Sequence, residues 1–221
     1  MSKVYFTNHF RNFFNQLEKN NHKEWFHANK KDYEQYVKKP FAYFVQDLID
    51  RLAKKEQRFE QLEAKQCIGR INRDIRFSKD KTPYNIYMNA IITSGGKKAK
   101  DEPGIALRIG SKQLWIAGGA YMPEKEQLQK IRSKIANDPS KFQKLINAKS
   151  FRKYFSNILG DAIKRIPKEY QAAYEKEPLV ANKQFYYVTE MPNDVILSKD
   201  LIQSIENVYK AAKPVNDYLT V

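Results

Sequence analysis

Arg70-Ile71-Asn72-Arg73-Asp74-Ile75-Arg76-Phe77-Ser78-Lys79-Asp80-Lys81-Thr82-Pro83-Tyr84 is the stretch on which the reading of this chain turns. Helical patterning precedes it and strand patterning follows it, so its conformation decides how the two parts join. Read as a strand over 71–77, its side chains alternate between faces. Ile71, Arg73, Ile75 and Phe77 then share one face, and Asn72, Asp74, Arg76 and Ser78 share the other. Either Arg73 enters an otherwise apolar face or a bulge breaks the alternation beside it. A buried guanidinium is costly unless a carboxylate or an anion pairs with it. The residues 79–84 read as an ordered turn. Asp80 is placed to accept local backbone N–H groups, and Pro83 biases Thr82 towards an extended shape.

Upstream, the chain reads as helices. Thr7 stands at the cap position of a helix bearing Phe10, Phe13, Phe14 and Leu17, which ends at Asn20-Asn21. Asn21 with Glu24 three residues on resembles a capping box for a helix carrying Trp25, Phe26, Tyr33, Tyr36 and Val37. Pro40 restarts the chain. Phe41, Phe44, Val45, Leu48, Ile49 and Leu52 then fall on one face of the clearest amphipathic helix in the sequence.

Downstream, Tyr87 to Thr93 and the alternating Ile105, Leu107 and Ile109 read as strands. Gly110-Ser111-Lys112 turns the second of these back into Gln113 to Ala117 as a hairpin. Pro123-Glu124 opens a helix with Leu128, Ile131 and Ile135, and Asp138-Pro139 opens another with Phe142, Leu145 and Ile146. Phe151, Tyr154 and Phe155 form a shorter apolar face. Phe185 to Thr189 is aromatic and β-branched, which predicts a late strand rejoining the sheet. Ser198 caps a last helix, with Leu201, Ile202, Ile205, Val208 and Tyr209, that Pro214 closes. The layout predicts an α+β fold: one domain over 1–221, with a mainly antiparallel central sheet and N-terminal and C-terminal helices packed on it. Its helical parts lie at about 5–60 and 123–221, and its strand-rich part at about 66–121, with the late strand near 185–189.

The 221 residues carry 40 Lys and Arg against 25 Asp and Glu, a net charge of +15. Such a surplus favours anionic partners, and it is equally the signature of a solvated basic surface. One cysteine, Cys67, excludes an internal disulfide framework, and its pattern fits a small core residue. No signal core and no apolar run long enough to span a membrane are present, so a cytoplasmic protein without membrane partners is expected. His9, His22 and His27 lack metal-motif spacing. No nucleophile elbow, phosphate-binding Gly-Lys-Ser/Thr loop or dinucleotide fingerprint occurs, and no cofactor or metal is expected. The sequence does not set the oligomeric state.

Across 73–81 there are four basic and two acidic residues. The pattern suits a phosphate or carboxylate held by arginine forks, with Asp74 and Asp80 orienting them. Arg73, Arg76, Lys79 and Lys81 are the candidate anion contacts, and Tyr84 is the candidate pocket wall. Three other readings stand beside this one: a salt-bridge network with a purely structural role; a hydrolase or transferase with Asp74 or Asp80 as base or metal ligand; and a basic nucleic-acid-binding surface helped by some of the 14 Tyr. These residues do not decide between binding and catalysis. A second basic knot, Lys164-Arg165-Ile166-Pro167-Lys168 beside Asp161, completes such an anion site if it folds against the first motif; otherwise it is a surface feature. Gly118-Gly119, after a strand, marks a bend or a close approach of backbone or ligand.

The run from Arg73 to Tyr84 closely resembles the signature of a bacterial and fungal family catalogued as domain of unknown function 2461. The resemblance extends over almost the whole chain. Asn20-Asn21-His22-Lys23-Glu24-Trp25-Phe26 is similar to the family's Asn-Asn-x-x-x-Trp-Phe element. Pro103-Gly104, Gly118-Gly119-Ala120-Tyr121-Met122-Pro123 and the segment from Gly160 to Lys168 match as well. One departure is visible: Glu177-Pro178 stands where many members carry His-Pro. Any role of that histidine is absent here, and the resemblance implies no reaction, cofactor or catalytic residue.

Overall fold

A computed structural model describes residues 3–221. Helix α1 (Asn8–Lys19) buries Phe10, Phe13, Phe14 and Leu17, the residues its periodicity selects. Its end is fixed at Asn20, whose backbone N–H reaches the carbonyl of Gln16 at 3.0 Å. Helix α2 (Lys23–Ala28) is capped by His22, whose Nδ1 accepts the Trp25 N–H at 3.4 Å. The expected cap at Asn21 is therefore displaced by one residue, which frees the Asn21 amide for another partner. Helix α3 (Lys30–Asp32) runs through a π-helical turn (Tyr33–Lys38) into helix α4 (Lys39–Ala53). Pro40 thus does not restart the chain. It lacks an N–H and crowds the carbonyl four residues back. The wider turn ahead of it, in which the Lys39 N–H reaches Glu34, absorbs that misfit and keeps the helix continuous.

All six apolar residues expected on α4 are buried. Two of them, Phe41 and Phe44, meet Phe6, which in turn meets Phe10, in an aromatic cluster with ring centroids 4.4 to 6.4 Å apart. Each such ring or Leu taken from water contributes about 1.5–3 kcal/mol, so this cluster is a large share of what holds the N-terminal region. Helix α5 (Ala64–Cys67) follows, and α4 and α5 both pack on the first strand.

The four strands are β1 (Tyr87–Ile92), β2 (Gly104–Gly110), β3 (Leu114–Ala120) and β4 (Phe185–Met191). They form one antiparallel sheet in the order β1-β2-β3-β4, and helices of the N-terminal and C-terminal parts pack against it, an α+β architecture. The hairpin turn forms where expected, with Gly110 N–H bonded to Gln113 O at 3.0 Å. Met88, Ala90, Ile92, Ile105, Leu107, Ile109, Leu114 and Ile116 make the buried face. The strand read over 71–77 does not form. Between Cys67 and β1 only single bridges form, Ile68 with Ala90 and Asn72 with Tyr84.

Between β3 and β4 lie α6 (Lys125–Asn137), α7 (Pro139–Ile146), α8 (Lys149–Arg152) and α9 (Gln171–Lys176), and the chain closes with α10 (Leu201–Leu219). Glu124 and Gln127 cap α6 reciprocally, and the Asp138 side chain caps α7 through the Lys141 N–H at 2.9 Å. Pro214 lies inside α10 and does not end it. Burial of Val215, Tyr218 and Leu219 beyond the proline carries the helix past the missing hydrogen bond. By contacts the chain forms two compact units. One holds the described residues to Lys97 with Ala106–Ile116 and Glu190–Glu206; the other holds Lys98–Ile105, Ala117–Thr189 and Asn207–Val221.

Candidate functional site

The 70–84 loop is built from its base upward. At the base, the freed Asn21 amide behaves as a length of backbone. Its Nδ2 donates to Tyr84 O at 2.9 Å, and its Oδ1 accepts the Tyr84 N–H at 3.1 Å. The Tyr84 ring is buried and stacks on Phe26, centroids 4.1 Å apart and planes 17° from parallel. Arg73 N–H donates to Pro83 O at 2.9 Å, and Asn85 N–H to Ile71 O at 2.8 Å, which closes the neck. Two segments far apart in sequence, 20–26 and 70–84, therefore meet as one structure.

Above the neck the loop satisfies itself. Arg73 Nη1 donates to Asp80 Oδ2 at 2.5 Å, to Thr82 O at 3.1 Å and to the Thr82 hydroxyl, and Nη2 donates to Ser78 Oγ at 3.4 Å. The partner of Arg73 is thus a carboxylate of its own loop. Asp80 Oδ1 accepts the Thr82 N–H at 2.9 Å, the local turn expected of an aspartate two residues back. Asp74 and Arg76 form a two-pronged pair at 2.7 and 2.9 Å. Lys81 Nζ ties down Ile75 O at 2.9 Å. These side-chain bonds to backbone compete with strand pairing, and here they win.

Loss of the strand changes what the side chains face. Ile71 is buried, but Phe77 is 95% exposed. Phe77, expected on an apolar strand face, stands at the loop apex with the Arg76 guanidinium 5.8 Å from its ring centre. Periodicity alone gives no signal for this. A clue in the sequence is its setting between Arg76 and the turn-forming Ser78-Lys79-Asp80. Lys79 and Lys81 are exposed and have no carboxylate partner among the described residues.

Hydrogen bonds tune the two acids. Thr82 N–H, then Arg73 and the Thr82 hydroxyl, hold the Asp80 carboxyl down to about 2. Arg76 pulls Asp74 below the ordinary carboxylate range, and the same pair raises Arg76. Asp80 is depressed in the folded state, so its contribution to loop order is complete above the unfolded value near 4. It disappears as pH falls through about 2. An NMR titration of the Asp80 carboxyl carbon should show a midpoint near 2, with Thr82 amide protection lost over the same pH range. A midpoint near 4, the ordinary aspartate value, contradicts the geometry.

Lys164 and Arg165 lie in the other compact unit, both exposed, on an irregular segment before the short turn Lys168–Tyr170. Residues 159–163 are strapped to 181–186 by backbone bonds that include Ile163 N–H to Ala181 O at 2.9 Å and Lys183 N–H to Asp161 O at 2.7 Å. The same unit explains Gly118-Gly119. Gly119 has φ +93°, and a Cβ there meets Phe185 O at 2.2 Å, so the glycine serves close approach of β4 backbone. Asn216, fully buried, locks that place: Oδ1 accepts Gly119 N–H and the Tyr187 hydroxyl, and Nδ2 donates to Gly104 O.

Cys67, His9 and His22 have structural settings. Burial pushes the Cys67 thiol up to about 12, so it stays protonated. His9 stacks on Tyr36 and His22 caps α2. Among the described residues no group of three or more metal-ligating side chains converges, and no helix is long and apolar enough to cross a membrane.

Fold and loop together define an α+β protein organised around one self-bonded, basic, aromatic-tipped loop. The chain belongs to the conserved hypothetical protein family DUF2461, whose model matches residues 9–218. A comparison with curated proteins found no match.

Proposed function

We propose that the 70–84 loop is a preformed recognition loop for a phosphate-bearing or carboxylate ligand. Arg73, Asp74, Asp80 and Tyr84 act as its frame. Arg76, Lys79 and Lys81 meet the anion, and Phe77 covers an apolar or planar part of the same molecule. One observation carries this reading: the loop's two carboxylates are taken by Arg73 and Arg76, while Phe77, Lys79 and Lys81 remain exposed at its tip. Order is already present in the free loop, so binding loses less conformational entropy.

The structural network foreseen from the sequence is thus the support of this site, not its rival. A hydrolytic role for Asp74 or Asp80 is poorly served by their bonding. Both face arginines, and a carboxyl held at about 2 is a weak base at neutral pH. Lys164 and Arg165 have no part in this reading. The free, buried Cys67 supports a reducing, cytoplasmic setting. A thermal-shift screen with inorganic phosphate, nucleoside monophosphates, sugar phosphates and dicarboxylates tests the reading. At least one should raise Tm by several degrees, and Lys79→Ala and Phe77→Ala should each remove the shift without lowering the ligand-free Tm. If no anion stabilises the protein, or if both variants respond as the parent does, the proposal fails.

A further inference from the structure

The alternation of burial along the strands leaves Tyr87, Asn89 and Ile91 of β1, Ala106 and Arg108 of β2, and Trp115 of β3 on the face opposite the core. Three of these make a row across three strands. The Arg108 guanidinium carbon lies 5.2 Å from the Tyr87 ring centre and 4.7 Å from that of Trp115. Arg108 is exposed, and it has no carboxylate partner among the described residues. Tyr87 and Trp115 are half-buried and Arg108 is exposed between them, so aromatic surface and positive charge meet at one place.

We propose that this face is a stacking platform for single-stranded nucleic acid. Unpaired bases have π faces that stack on Trp, Tyr and the guanidinium plane, whatever their sequence, and the phosphates that accompany them need cations alongside. The chain supplies these from a net charge of +15. Ordinary cross-strand packing also brings aromatic and long side chains together on a sheet. It does not predict that Trp115 senses an oligonucleotide. The row uses none of the residues of the 70–84 loop and does not rest on the reading of that loop.

The sequence holds two tryptophans, so Trp25→Phe leaves Trp115 as the sole reporter. In that background, a 15-nucleotide oligo-dT or oligo-rU should quench the emission saturably at low salt, and affinity should fall steeply as salt rises. Arg108→Ala, at an exposed position, should weaken binding by about tenfold while Tm is kept. A duplex of equal length should leave the emission unchanged, because its bases are already stacked. Anisotropy of a labelled oligonucleotide on the parent protein gives the affinity independently, should Trp25→Phe fold poorly. Lys79→Ala should leave oligonucleotide binding intact even where it removes the phosphate response of the loop. No binding at low salt, an Arg108→Ala variant of parental affinity, or equal binding of duplex overturns the proposal.

Discussion

Gly119→Ala adds a single methyl group, yet it should lower the melting temperature by about 10 °C. The added Cβ would meet Phe185 O at 2.2 Å and Tyr186 Cα at 2.9 Å, both rigid backbone of β4. The φ of +93° adds strain that only glycine escapes. Relief requires β3 and β4 to part, which pulls Gly119 N–H and the Tyr187 hydroxyl from Asn216. Strain, overpacking and weakened buried hydrogen bonds together cost on the order of 3–5 kcal/mol. For a chain of this length each kcal/mol is worth about 2–4 °C. Gly69→Ala is the contrast. Its Cβ would also come within 2.2 Å of another atom, but that atom is the end of the rotatable Asn89 side chain and not backbone. Thermal unfolding by circular dichroism should show a loss for Gly69→Ala several-fold smaller. Equal losses would mean that the β3–β4 approach is not rigid.

Tyr84→Ala should produce the second large effect, and it reaches the candidate site directly. The ring is buried against Phe26, and truncation of a buried aromatic costs about 3–5 kcal/mol. Tyr84→Phe keeps the stack and should be close to neutral. Asn21→Ala removes the other half of the anchor and leaves the Tyr84 N–H and C=O without their amide partner, at about 2 kcal/mol. Because both changes release the same neck, their double mutant should fall short of the sum. Hydrogen exchange should show faster amides across 70–84 in either variant while α4 stays protected. Exchange confined to residue 84 would show that the neck does not hold the loop.

Much of this architecture is readable from periodicity. Phe41 through Leu52 repeat at helical spacing, and the six apolar residues that do so are all buried. Ile105, Leu107 and Ile109 alternate, and they line the core face of β2. The failures have a common cause: side chains that act on backbone. Ile71, Ile75 and Phe77 mimic a strand, but Asp80, Asp74 and Lys81 capture the local N–H and C=O groups instead. Spacing therefore puts Phe77 on a buried face when it is the most exposed large apolar residue among those described. Asn21 resembles a helix cap because asparagine favours that role. Its true partner, Tyr84, lies 63 residues away, beyond the reach of any local rule. Pro40 and Pro214 read as breaks, yet a π-helical turn and the buried residues beyond Pro214 carry both helices through. The density of mixed charge at 73–84 does locate the loop, and it raises the question that Asp80 answers for Arg73.

That this loop is ordered in advance and binds an anion at its tip is tested most directly by a two-dimensional amide NMR titration with inorganic phosphate at constant ionic strength. Saturable shifts should concentrate at Arg76, Phe77, Ser78, Lys79 and Lys81, while the Arg73 and Thr82 amides keep their protection throughout. Shifts that never saturate, or that spread evenly over the lysines of the whole surface, would contradict a preformed anion site.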